Sequence, residues 1–462
     1  MDKEVTNQTK ITIAVVGILT FIGILVETSM NVTFPTLMKT FDQSLSTVQW
    51  LTTGYLLMVT LVMGSTSFLL KRFDKRRLFL LGAILSLAGG LLCLVAPNFP
   101  FLLCGRLLQA SATGISIPLM FSVIFTAVPM KKWGTYTGFA AMLISLAPAL
   151  GPTYGGIMNH YFSWRAIFSI TSLLVIISFA LGLVNFKRTQ SLQTAKFDLK
   201  GFLTLSIFLI FLEFGIQQLS SHLTIALILL FIGFVALLAF IVHEQKEKNV
   251  LFNPAIFKQR YLMFRLVNYF MLQMINISLS FVIPIYTENV LFVNSLIAGL
   301  VLLPGSLLGS MIAPAAGRWY DRVGAKRPLV YSNWLVILGM LLFTVFISRL
   351  SIIMIGLAFV ITRLGFNLGF GNTMSDASKA VVPQQKADQN ALFSMSQQYA
   401  GSIGTAIMST IISFQEKGAV TNHSGITHGC QLGFAFLLIC GLSAQVITLI
   451  SNKELLSNEI NY

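Results

Sequence analysis

The stretch ITIAVVGILTFIGILVETSMNVTF, residues 11–34, decides the fold. At about 1.5 Å per residue it is long enough to cross a hydrocarbon core about 30 Å thick as a single helix. Yet it carries Glu27 deep inside an apolar run. A carboxylate left charged near the centre of such a helix costs roughly 2.5–3.5 kcal/mol on insertion scales. It survives there only if it is paired, protonated or facing water, and each option suggests the handling of ions, protons or substrate. The plainer alternative is a structural carboxylate hydrogen-bonded to a neighbouring helix.

The rest of the chain repeats the pattern. Of 462 residues, 55% are hydrophobic and 10% charged, a balance that would leave a soluble protein with far too much exposed apolar surface. Apolar runs bounded by charge, proline or glycine predict fourteen spans: 11–34, 48–70, 78–96, 101–124, 135–158, 166–186, 201–219, 223–242, 262–285, 296–316, 328–347, 351–374, 389–413 and 431–450. The expected fold is therefore an all-α polytopic membrane protein with short loops and no soluble domain.

The net charge of +15 points towards a membrane surface and away from nucleic acid. Basic residues cluster between spans, as at Lys71, Arg72, Lys75, Arg76 and Arg77, at Lys187, Arg188, Lys196 and Lys200, and at Arg318, Arg322, Lys326 and Arg327. No folded basic domain exists to hold a nucleic acid. With the N-terminus inside, 25 of the 31 Lys and Arg fall on the cytoplasmic side (Arg265, at the inner end of span 9, among them), four outside (Lys39, Arg165, Arg349 and Lys417) and two deep within spans (Arg106 and Arg363). That asymmetry predicts cytoplasmic N- and C-termini. The first span is long and lacks a small-residue cleavage site after it, so it reads as a retained helix. Cys93, Cys104, Cys430 and Cys440 show neither metal spacing nor a secreted disulfide framework, and read as small lipid- or core-facing residues.

An internal repeat organises the spans. SFLLKRFDKRR (67–77) follows span 2 and GRWYDRVGAKR (317–327) follows span 10. Arg106 precedes Gln109 in span 4, and Arg363 precedes Asn367 in span 12. Spans 1–6 and 9–14 thus read as two related six-helix halves, giving an N-terminal bundle (1–186), two inserted helices with cytoplasmic linkers (187–260) and a C-terminal bundle (261–462). Repeated halves that rock about a midplane site are the usual build of secondary transporters.

Four motifs carry a specific resemblance. APALGPTYGG (147–156) in span 5 packs two prolines and three glycines into one membrane helix, which permits a kink and close helix approach. Gly151, Pro152, Gly155 and Gly156 resemble the antiporter signature of the major facilitator superfamily; a simple packing seam is the plainer reading. In the loop copy at 317–327, Gly317, Asp321, Arg322 and Gly324 resemble that superfamily's cytoplasmic-loop motif, and Lys326 and Arg327 keep its basic end. There Asp321 is expected to cap a helix end or bond an arginine of the neighbouring half. A positive-inside anchor is the alternative. The first copy departs from the motif, with Ser67 in place of glycine, Lys71 in place of aspartate and Asp74 in place of the second glycine. RLLQASATGISIP (106–118) is similar to the family's span-4 pattern, with Ala110 where glycine is usual. Finally, LVETSMNVTFP (25–35) resembles the first-helix motif of the fourteen-helix drug:proton antiporter branch. Glu27, Thr28, Asn31 and Pro35 match, and Val26 stands where other members place aspartate. SWRAIF (163–168) and FDLKG (197–201) also look like patterns of that branch.

The resemblance implies a bacterial multidrug exporter of the cell membrane, a transporter and not an enzyme, working without a cofactor or metal and expected to be a monomer. Proton coupling falls to Glu27, Arg106 and Glu213, the last being the second intramembrane acid, with a snorkelling or structural role equally open. Glu27 and Arg106 lie on the same side of the bilayer middle, displaced by roughly 6 and 9 Å at the helical rise. The cavity set is Glu27, Asn31, Gln109, Asn276, Arg363 and Asn367, with Glu27 and Asn31 sharing a face at a spacing of four. Asn268, Gln273 and Asn372 are further polar groups in spans 9 and 12, open to either cavity or interhelical roles. Without a phosphate-binding Gly-Lys-Ser/Thr loop, energy must come from an ion gradient. Expected loads are protons against monovalent dyes, quaternary ammonium compounds and zwitterionic quinolone-like drugs. The alternatives are an exporter dedicated to one compound, such as tetracycline or a metabolite, and a non-transporting membrane sensor or scaffold.

Overall fold

The computed structural model describes residues 5–43, 45–48, 50–186, 196–219, 222–247, 250–293, 295–347, 350–418 and 422–460; Lys187, Arg188 and Arg349 lie outside them. The long helices are α1 (Asn7–Ser29), α2 (Trp50–Arg72), α3 (Lys75–Val95), α4 (Phe99–Ala127), α5 (Trp133–Tyr161), α6 (Ala166–Asn185), α7 (Leu199–Gln218), α8 (Leu223–Lys246), α9 (Arg260–Asn289), α10 (Leu303–Val323), α11 (Lys326–Val345), α12 (Ile352–Lys379), α13 (Lys386–Gly418) and α14 (Asn422–Ile460). Among the described residues, thirteen helical segments are long and apolar enough to cross a membrane. Helix α13 is long enough but too polar for that set. It buries Asp388, Gln389, Asn390, Ser394, Gln397 and Ser402 instead.

Caps set the starts of several helices. The side chains of Thr6, Asp74, Asn98, Asp198 and Ser351 each accept a backbone N–H in the first turn of α1, α3, α4, α7 and α12. Asp198 belongs to the FDLKG stretch, whose role is thereby partly explained: its carboxylate caps α7 at Gly201 and also meets His243 Nε2 of α8 at 2.8 Å.

The chain divides into two compact units, residues 1–196 with 386–395, and 197–385 with 396–462. In the first, α3 packs on α4 and α6, α2 on α4, and α1 on α4, α5 and α6. In the second, α11 packs on α12 and α14, α10 on α12, and α9 on α12 and α14, five of the first unit's six pairings displaced by eight helices. Helices α7 and α8 pack on one another. Small residues make the closest crossings in both units. A Cβ on Gly89 would lie 2.5 Å from the Gly105 carbonyl oxygen between α3 and α4, and one on Gly365 would lie 2.8 Å from the Ser332 carbonyl oxygen between α12 and α11.

Candidate functional site

The first unit holds the motif residues around α1. Glu27 is half-buried in the last turns of α1, and no hydrogen bond or ion pair is made by its carboxylate among the described residues. Its charged neighbour is Arg106 of α4. That guanidinium is fully buried and donates through Nη1 to Gln109 Oε1 at 3.0 Å. Its carbon lies 4.2 Å from the centre of the Tyr55 ring on α2. Nε and Nη2 find no hydrogen-bond partner among the described residues. A buried cation in this position is thus held by one amide, one aromatic face and the field of the nearby acid.

Glu27 and Asn31 do not lie in one regular α-helix. Helix α1 ends at Ser29, and Asn31 opens a separate 3₁₀ turn, Asn31–Thr33. Thr33 causes the tightening by donating both its backbone N–H (3.0 Å) and its hydroxyl (2.7 Å) to the Met30 carbonyl. Asn31 is exposed and its Oδ1 accepts the Thr52 hydroxyl at 2.7 Å.

The glycines at 147–156 divide by what they meet. Cβ atoms on Gly151 and Gly155 would lie 1.8 Å from Thr28 Oγ1 and 2.3 Å from the Ser29 carbonyl oxygen, so α5 lies directly against the acidic end of α1. Gly156 has nothing within 4 Å of such an atom. Two of the three glycines therefore serve as a packing seam, spaced like the small residues of close membrane-helix pairs, while Pro148 and Pro152 interrupt the α5 backbone ladder.

In the cytoplasmic-loop motif, Gly324 ends α10 at φ 76°, a left-handed backbone that favours glycine. Gly317 is buried, Asp321 is half-buried and Arg322 is exposed. The carboxylate at the centre of this end of the second unit is Asp376. It accepts from Arg265 Nε at 2.7 Å, from Tyr320 at 3.3 Å and from Tyr261. Arg265 also donates to Asn452 Oδ1 at 3.1 Å, so α9, α10, α12 and α14 meet in one buried network. Sequence reading missed the pairing of Arg265 and Asp376: Arg265 was counted with the cytoplasmic loop charges although it lies inside α9, and Asp376, near the end of α12, is an acid that a count of basic residues does not see.

The degenerate first loop copy has its own partner. Ser67 and Lys71 both donate to Asp388 Oδ1, in the part of α13 that groups with the first unit. Asn390 also donates to the Pro118 carbonyl, and Lys386 lies 4.4 Å from the Trp133 ring centre. The replacements at 67 and 71 thus form a clasp of reversed polarity, lysine on the loop side and aspartate on the helix.

In the second unit Arg363 is buried, donates to Asn276 and lies 5.5 Å from the Phe366 ring centre. Asn367 donates to the Arg363 carbonyl one turn earlier (3.0 Å) and packs on Gly309. Asn268 and Asn372 are likewise engaged, with Asn333 and with the Ala316 carbonyl respectively. Glu213 is 3% exposed, which rules out a lipid-facing snorkel, and it accepts the Ser402 hydroxyl of α13. Tyr399 and Thr410 of the same helix donate to α7 carbonyls at Leu209 and Ile216. The four cysteines are free, three buried and Cys104 exposed on an apolar surface.

The profile of the Major Facilitator Superfamily matches residues 16–405. The lincomycin resistance protein LmrB of Bacillus subtilis (strain 168) is 29% identical over 447 residues, covering 91% of each chain. The multidrug resistance protein B homolog of Mycobacterium tuberculosis (strain ATCC 25618 / H37Rv) is 27% identical, covering 88% of this chain and 78% of that one. Among solved structures, the human organic anion transporter MFSD10 (TETRAN) shares the fold with a TM-score of 0.63 at 12% identity, over 94% of this chain and 99% of the other.

Proposed function

The chain belongs to the Major Facilitator Superfamily, and from that premise we propose that it is a proton-coupled antiporter exporting lipophilic cationic or zwitterionic drugs. As a member it is a multi-pass transporter of the cell membrane and not an enzyme. The names of the two bacterial relatives support drug export as its task. The proposed topology has fourteen spans with both termini cytoplasmic, α13 being the fourteenth, in a monomer surrounded by lipid. Residues 1–186 and 261–462 are the two working bundles and 187–260 the insertion.

One observation carries the coupling scheme. Glu27 is a half-buried membrane carboxylate with no bonded partner among the described residues, and a buried cation acts on it. Such a group is free to exchange its load. A proton neutralises it when the cavity faces out. A drug cation arriving from the cytoplasm stabilises the ionised form and expels that proton, because opposite charges favour ionisation. The two loads exclude one another, so inward proton movement drives export. Arg106 sets the balance, and Asn31, Gln109, Asn276, Arg363 and Asn367 complete the proposed polar set. Glu213 is proposed as a second proton-linked carboxylate on the inserted helix.

The test is drug efflux from everted vesicles, using ethidium, lincomycin, a quinolone and tetracycline under an imposed pH gradient. Gradient-dependent movement of several compounds supports a multidrug antiporter. Movement of one compound only identifies a dedicated exporter, and no proton flux with any compound contradicts transport of this kind.

A further inference from the structure

Tyr55 of α2 was not marked by any motif, yet it joins the two charged helices of the first unit. It is fully buried. Its hydroxyl donates to the Gly23 carbonyl of α1 at 3.0 Å and lies 2.6 Å from Thr113 Oγ1 of α4. Thr113 Oγ1 also donates to the Gln109 carbonyl of its own helix at 3.1 Å, and across the Tyr55–Thr113 contact either hydroxyl can be the donor. Gly23 stands four residues before Glu27, one turn away on the same side of α1. A Cβ there would lie 2.1 Å from Thr113 Oγ1, so α1 and α4 touch at this point. The Tyr55 ring then offers its face to Arg106 at 4.2 Å, seven residues before Thr113 on α4.

Among the described residues, the groups acting on Glu27 and Arg106 are few. Arg106 and Tyr55 interact with Glu27, and Cys93 of α3 faces Arg106. Helices α5 and α6 meet α1 through Leu143, Gly151, Gly155, Ser178 and Asn185 among others, none of these titratable.

We propose that Tyr55 is the positioning residue of the coupling site: its hydroxyl fixes the α1 turn that carries Glu27, and its ring fixes the Arg106 guanidinium beside it. This rests on the reading of Glu27 as the coupling carboxylate. The ring is the decisive part, because an aromatic face holds a cation that has only one hydrogen-bonded amide.

Ethidium binding to the purified full-length protein, followed by fluorescence across pH, tests it. Wild type should show a binding midpoint in pH that Glu27→Gln removes. Tyr55→Leu should move that midpoint by about one pH unit, whereas Tyr55→Phe, which keeps the ring, should stay within about half a unit. Thr113→Val removes one anchor of the ring at nearly constant volume, and should move the midpoint in the same direction as Tyr55→Leu. It replaces that variant if Tyr55→Leu does not fold. A purely structural role would weaken binding equally at every pH and leave the midpoint in place. An unmoved midpoint in Tyr55→Leu or Thr113→Val, with the Glu27 dependence intact, overturns the inference alone. A pH dependence that survives Glu27→Gln overturns the underlying reading, and the inference with it.

Discussion

A methyl group added at Gly155 would sit 2.3 Å from the backbone oxygen of Ser29, whereas one at Gly151 would meet the Thr28 side chain, and one at Gly156 nothing at all. The three glycines of one motif therefore have different sensitivities. Gly155→Ala should destabilise the protein by about 1–3 kcal/mol, since backbone on the far side cannot turn away as a rotamer can. Gly156→Ala should change stability by less than about 0.5 kcal/mol. Thermal unfolding in detergent checks both, and a loss at Gly156 equal to that at Gly155 contradicts the packing assignment. The sequence made this seam visible because glycines spaced by four have few other uses in a membrane helix. It could not separate Gly156 from its neighbours, because that depends on which side of α5 meets α1. Tyr55 was invisible for a related reason. An aromatic residue in an apolar span gives no local sign that its partners, Gly23, Arg106 and Thr113, lie 32, 51 and 58 positions away.

At the scale of elements, the reversed clasp makes a clear prediction. Lys71→Asp or Asp388→Lys alone should cost about 2 kcal/mol and lower transport, because each leaves a buried or half-buried charge facing its like. The double exchange should recover a large part of the loss. Transport assays on the single and double variants check this, and a double variant as poor as the worse single contradicts the pairing. Apolar run length placed most of the long helices to within about five residues at each end, but α10 begins and ends seven residues later than expected and α14 extends nine residues earlier and ten later. The first loop copy was legible as a repeat but not as a clasp, because its polarity is inverted and its partner Asp388 stands 317 residues away. The Arg265–Asp376 network escaped notice in the same way. Its members are distributed over four helices, and only the fold brings them together.

For the whole molecule, the excess of basic residues in alternate loops predicts sidedness. With the native cysteines replaced, Pro97→Cys should react with a membrane-impermeant thiol reagent from outside intact cells, and Lys132→Cys only after the membrane is opened. The reverse pattern contradicts the proposed topology. The central claim is narrower, that Glu27 exchanges a proton for a drug. Purified protein in proteoliposomes, with ethidium movement and internal pH recorded together, tests it most directly. Wild type should move ethidium against protons, and Glu27→Gln should abolish the pH-driven part of that movement while the protein stays folded; undiminished pH-driven transport by Glu27→Gln would contradict the account.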